Sequence, residues 1–215
     1  MKKTLLKWTA FLLCIIFCIT SNPASNAASA ENFNKTKAKK NITVTYKKVP
    51  DGILAIYKNK NDYTVKLTGK VRFLDASKNE LSAIKEINNC VGAKSTCAIF
   101  YPAPYDSDGN VIKYNSYKGT FSVAKTKYKS YSKKMTVGTD LQTIGTNVSV
   151  VNTSGKKLNN IHVTAVFYGS DNSILGCQGK YVNCYEKGSI DLFTLDHKSS
   201  WGRPSKVKIY VNWAY

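Results

Sequence analysis

Between residues 161 and 175, IHVTAVFYGSDNSIL, apolar side chains recur at every second position, Ile161, Val163, Ala165 and Phe167. A polar cluster fills 169–173, and Ile174 and Leu175 return to apolar character. Alternation of this kind predicts a half-buried β-strand, a turn and a returning strand. The pattern is echoed 94 positions earlier, where VKLTGKVRFLDASKNEL sets Val65, Leu67, Val71 and Phe73 on one face, turns through 75–79 and returns at Leu81. Flanking segments repeat as well. ILAIYKN at 53–59 answers TNVSVVN at 146–152, each ending on an asparagine followed by turn residues, and Asn89-Cys90 answers Asn183-Cys184. Apolar runs at 98–101 and 190–195 follow, and each unit closes on an aromatic strand, at 117–123 and 207–213. The two units diverge most at 102–112, where Pro102, Pro104 and Asp108-Gly109 mark a surface loop in the first unit alone. No stretch after residue 30 has a helical period, so the expectation is all-β, with two tandem sandwiches of short strands.

The N-terminus is set aside from that count. Lys2, Lys3 and Lys7 precede an apolar run over 5–19, and Ala28-Ser29-Ala30 offers small residues at a cleavage position. This predicts a cleaved signal peptide over 1–30; the run is shorter than the roughly 20 apolar residues that a spanning helix needs. A polar, lysine-rich stretch at 31–40 reads as a solvated basic tail or linker, with sandwich domains over 41–130 and 131–215. The expected location is secreted, extracellular or associated with the cell envelope.

At the strand-turn-strand the residues carry a family resemblance. Phe167-Tyr168-Gly169-Ser170-Asp171 and, less closely, Arg72-Phe73-Leu74-Asp75 resemble the aromatic turn of the FxLYD domain, and Lys187-Gly188-Ser189 is similar to its proline-glycine turn with Lys in place of Pro. The resemblance implies an immunoglobulin-like β-sandwich of bacterial secreted and surface proteins. It implies no catalytic residues, because that family has none in common.

Cysteine usage and charge bear on function. Of six cysteines, Cys90, Cys97, Cys177 and Cys184 lie beyond the signal peptide. An even count in an exported chain predicts disulfides. Local pairs, Cys90–Cys97 and Cys177–Cys184, are the expectation, with the two interdomain connectivities as alternatives; each short loop would contribute about 2–3 kcal/mol less any strain. Neither pair has the partners of a metal site, so no metal or cofactor is expected. His162 falls on the face opposite Ile161 and Val163 and is expected to face solvent. His197 lies in a loop near Asp196 and Ser199, a neighbourhood that suggests a triad, but residues adjacent on a loop rarely reach relay geometry. A hydrolase built on His197 would need a cleft with an acid oriented behind it.

The full chain of 215 residues carries 32 Lys and Arg against 13 Asp and Glu, a formal charge of +19. No acid occurs from Gly109 to Thr139, while Lys113, Lys118, Lys125, Lys127, Lys129, Lys133 and Lys134 alternate with Tyr114, Tyr117, Tyr128 and Tyr131. Such a field attracts polyanions, and tyrosines offer stacking faces. The expectation is a non-catalytic module that binds an anionic envelope or extracellular polymer, or an acidic membrane surface. With only Arg72 and Arg203 as arginines, specific nucleic acid readout is not expected. Lysines also keep edge strands apart and exported proteins soluble. The alternative is an adhesion or structural module that docks protein partners through exposed strands.

Overall fold

The structure, a computed structural model, describes residues 33–215; the expected signal peptide and its cleavage point lie outside the described residues. Phe33–Tyr215 forms one compact unit. A short helix, α1 (Lys35–Lys40), leads into twelve strands. The first six are β1 (Ile42–Val49), β2 (Gly52–Asn59), β3 (Val65–Leu74), β4 (Glu80–Val91), β5 (Thr96–Pro102) and β6 (Ser116–Ala124). The second six are β7 (Met135–Leu141), β8 (Gly145–Asn152), β9 (Ile161–Tyr168), β10 (Ile174–Tyr181), β11 (Ile190–Asp196) and β12 (Lys206–Ala214).

They form four three-stranded antiparallel sheets, ordered β1-β2-β5, β4-β3-β6, β11-β8-β7 and β10-β9-β12. The second pair repeats the strand order of the first, so the echo in the sequence is an echo in topology. The turns repeat too: Lys78 and Asn172, 94 positions apart, both take a positive φ, 67° and 64°.

The sheets stack in four layers with three apolar seams. The first seam lies between β4-β3-β6 and β1-β2-β5 and holds Val65, Leu67, Val71 and Phe73 against Ile53, Ala55, Tyr57 and Tyr101. The third lies between β10-β9-β12 and β11-β8-β7 and holds Ile161, Val163, Ala165 and Phe167 against Val148, Val150 and Leu195. Between them, Leu54 and Ala98 from the first half meet Val166, Cys177 and Tyr210 from the second. Strands β2 and β9 are therefore buried on both faces, which is why β2 reads as a nearly continuous apolar run. Beneath Gly69, where no Cβ intrudes, the Tyr57 and Tyr101 hydroxyls bond at 3.1 Å.

Two equivalent asparagines tie each half together. Asn59, fully buried at the end of β2, donates from Nδ2 to the carbonyls of Tyr63, Val91 and Gly92, and its Oδ1 accepts from the Asn61 amide. At the end of β8, Asn152 donates to the carbonyls of Lys156, Tyr185 and Glu186 and accepts from the Ser154 amide. Both fasten a turn to the segment that follows the neighbouring sheet's edge strand.

Three expectations are corrected here. Within 31–40, the described residues from Phe33 onward are not a solvated tail. The Asn34 side chain caps α1 by accepting from the Lys37 amide at 2.9 Å, Ala38 is fully buried in the first seam, and Phe33 packs edge-on to Tyr63. The four cysteines are free and buried, and neither local disulfide is formed. The Cys177 side chain lies in the middle seam and Cys184 in the third, on opposite sides of the β10-β9-β12 sheet. In the first half, Cys97 points into the first seam beside Asn88, whereas Cys90 bonds Ser130 of the connector. Burial pushes the Cys90 thiol up to about 11 and those of Cys97 and Cys177 to about 12, so they stay protonated and unreactive at neutral pH.

His162 is the third correction. It is not solvent-facing: its ring stacks on Trp213 at 4.4 Å and 15°, and its Nδ1 accepts from Asn212 Nδ2 at 3.0 Å. The face it shares with Thr164 and Val166 is the one that meets the first half.

Candidate functional site: a basic sheet face

The outermost layer at one end of the stack is β4-β3-β6. Because β3 alternates, sending Val65, Leu67, Val71 and Phe73 inward leaves Lys66, Thr68, Lys70 and Arg72 facing out. The register places Lys85 of β4 directly opposite Lys70, and Lys118 of β6 directly opposite Arg72. Thr120 and Ser122 of β6 and Ala83 and Ile87 of β4 lie on the same face at matching register. Like charges directly opposite across an antiparallel ladder are destabilising, and this face holds two such pairs. One acid answers them: Glu80 lies 3.6 Å from Arg72, and both side chains are largely solvated. A flat surface with five basic groups, hydroxyls between them and a single counter-charge suits an extended anion better than a small one.

Along the β6 edge, α1 adds further charge. Lys35, Lys39 and Lys40 gather around Phe121, with the Lys39 ammonium 5.3 Å from the ring centre.

The run expected to bind polyanions is split by the fold. Lys118 belongs to the basic face, and Lys113 is exposed just before β6. Lys125, Lys127, Lys129, Lys133 and Lys134 are exposed on the connector between the halves. The tyrosines do not serve as stacking platforms. Tyr114 is 6% exposed in the first seam, edge-on to Phe73 at 4.9 Å, and its hydroxyl donates to the Gly52 carbonyl. Tyr117 packs against Tyr46, Tyr128 against Tyr215 at 4.2 Å, and Tyr131 against the third seam. Aromatic residues interleaved among the lysines are thus the anchors that hold the connector down. Lys66, Lys70, Arg72 and Lys85 were not in the expected set; their signal is the period of two through β3, which a count along the chain does not register.

At the other end of the stack, the outer face of β11-β8-β7 has the opposite character. Its outward positions are Thr136, Gly138, Asp140, Asn147, Ser149, Val151, Ile190, Leu192, Thr194 and Asp196, with two charges, both acidic, at one end. Ile190 and Leu192, on edge strand β11, are 54% and 70% exposed.

His197 does not assemble a relay. Its Nε2 is engaged by the Thr146 hydroxyl at 2.9 Å, its ring stands edge-on to Phe167 at 5.3 Å, and its Nδ1 is buried without a partner. Among the described residues, no group of three His, Cys, Asp or Glu side chains is placed to hold a metal ion, and no helix is long and apolar enough to cross a membrane.

His162 gives the fold a pH dependence of definite sign. Burial lowers its pKa from the ordinary 6.5 to about 4. Between these values the unfolded chain binds the proton and the folded one does not. This contribution to stability is complete above pH 6.5 and is lost as the pH falls toward 4. Glu86, whose pKa burial raises, works in the opposite direction. Denaturant midpoints measured across this window for wild type and His162→Gln are expected to fall more steeply with acid in wild type; equal slopes would assign the acid sensitivity to other groups.

No protein family and no curated protein matches the sequence. Among solved structures, the chain is similar to a red sea bream transglutaminase, at 14% identity and a TM-score of 0.28, over 82% of this chain. It spans only 30% of that enzyme's chain, and so distant a likeness carries no activity over.

Proposed function

We propose that the protein is a secreted, non-catalytic binding module that holds anionic envelope or extracellular polymers on the outer face of β4-β3-β6. In this reading the two six-stranded halves are tandem immunoglobulin-like domains of the FxLYD kind, delivered by the N-terminal signal peptide. The observation that carries the proposal is the pair of directly opposed like charges, Lys70 with Lys85 and Arg72 with Lys118. Solubility needs lysines on a surface but not facing one another across a ladder. A polyanion laid over the face would relieve both repulsions.

The test exploits that conflict. Lys85→Glu turns a repulsive cross-strand pair into an attractive one, so it is expected to raise stability by about 0.5–1 kcal/mol. The same change should weaken retention on immobilised heparin or polyphosphate, and wild-type retention should decline steeply with salt. Chemical denaturation and salt-gradient elution read the two effects separately. Retention of Lys85→Glu equal to that of wild type, or wild-type retention indifferent to salt, would remove this face as the binding surface.

A second reading rests on Ile190 and Leu192. An outer face without basic residues that ends on an edge strand with two exposed aliphatic side chains is suited to docking a protein partner by strand addition. Binding of that kind would survive high salt and would be lost on Leu192→Lys.

A further inference from the structure

A second candidate site lies where the halves meet. A cleft of about 230 Å³ opens between β4 and β5 of the first half and β9, β10 and β12 of the second. Its chemistry is the reverse of the protein's surface. In a chain with 32 Lys and Arg and 13 acids, the lining contains neither Lys nor Arg and has one formal charge, the Glu86 carboxylate. Around it stand the rings of Phe100, His162, Tyr181 and Trp213. Tyr181 is 60% exposed and stands edge-on to His162 at 4.9 Å and to Trp213 at 6.1 Å, so it forms a projecting wall of the cleft.

Two details fix the electrostatics. Glu86 makes no ion pair among the described residues, where the acids in such pairs are Asp51, Asp62, Glu80 and Glu186. Partial burial of an unpaired carboxylate disfavours its charge, and its pKa is raised accordingly. The imidazole beside it adds no positive charge at neutral pH. Asn212 Oδ1 accepts from the Ala98 amide at 2.7 Å, which orients the side-chain amide so that Nδ2 donates to His162 Nδ1. A proton on that nitrogen would oppose the donor, so the ring stays neutral and carries its hydrogen on Nε2.

We propose that this cleft binds a small alkylammonium cation, seated against the faces of Tyr181 and the neighbouring rings with its charge directed at Glu86. The ring quadrupoles attract a poorly hydrated cation, and the carboxylate gains the partner it lacks within the protein. Its carboxylate, Glu86, points to the other side of β4 from Lys85, and its ligand is opposite in charge to the one proposed for the basic face.

Choline and its neutral carbon isostere 3,3-dimethyl-1-butanol separate charge recognition from simple filling of an apolar cleft. In titrations of the 15N-labelled full chain, choline is expected to shift the Gly179, Tyr181 and Trp213 signals saturably, with little response to the isostere. Glu86→Gln should weaken choline binding about tenfold, equivalent to about 1.4 kcal/mol. Tyr181→Leu changes a mostly exposed side chain and leaves the fold intact; it should weaken binding about threefold through loss of a π face. If Glu86→Gln disturbs the fold, the Tyr181 variant and the isostere comparison still decide the matter. Equal shifts from choline and the isostere, no shift from either, or unchanged choline affinity in the variants would overturn the proposal.

Discussion

Replacing Asn152 with alanine is expected to cost about 2–4 kcal/mol, because it removes three hydrogen bonds to partly buried carbonyls and leaves one amide without its acceptor. The Lys156, Tyr185 and Glu186 carbonyls lose the Asn152 donor, although Tyr185 keeps the Leu158 amide and Glu186 the Ser189 amide, and the Ser154 amide loses its acceptor. Asn59→Ala is expected to match it in the first half, through the carbonyls of Tyr63, Val91 and Gly92 and the amide of Asn61. The diagnostic variant is aspartate, which has the same shape but, when ionised, only accepts hydrogen bonds. Asn152→Asp sets a carboxylate against three carbonyl oxygens and should be at least as damaging as alanine. Urea denaturation decides this; a loss below about 1 kcal/mol for alanine would mean the loops re-bond among themselves or to water.

Asn212→Ala should cost about 2–4 kcal/mol and lower the midpoint of thermal unfolding by about 6–12 °C. Asn212 is 2% exposed and belongs to both halves. Its Oδ1 caps the Ala98 amide on the free edge of β5, its Nδ2 donates to Thr164 Oγ1 at 2.7 Å and to His162, and its carbonyl accepts from Asn88 Nδ2 at 2.9 Å. The backbone carbonyl keeps its partner in the variant, whereas the Ala98 amide is left buried and unpaired. Because the lost bond to the Ala98 amide joins the halves, the variant should begin to unfold in two calorimetric transitions where one is expected for wild type. A variant that unfolds in one transition at the wild-type temperature would show that apolar contacts in the middle seam suffice to hold the halves together.

The strands were legible because their inward faces alternate. Val65, Leu67, Val71 and Phe73, and Ile161, Val163, Ala165 and Phe167, all lie buried as the period of two required. The repeat was legible because both copies keep the asparagine that ends the second strand and a polar turn after the third. The helix at α1 was not, since six residues are too few to show a period and the capping Asn34 sits in an otherwise polar run. The binding residues were only partly legible. Lys118 stood out in an acid-free stretch, but Lys66, Lys70 and Lys85 are brought beside it by pairing between strands far apart in the chain. Tyr114 misled because a tyrosine among lysines looks exposed until its ring is seen against Phe73.

By itself, the sequence determined the all-β class, the internal repeat of strands and the inward faces of β3 and β9, since these depend on local alternation and turn chemistry. Only the tertiary structure decided that the two halves press sheet against sheet. That packing buried the second faces of β2 and β9, took His162 out of solvent, put Cys177 and Cys184 on opposite sides of a sheet and opened the cleft at Glu86. The physical reason is that a strand's pattern records which residues avoid water, not which neighbour excludes it; a second buried face on β9 shows only as Thr164 and Val166 where an isolated sandwich would place charge.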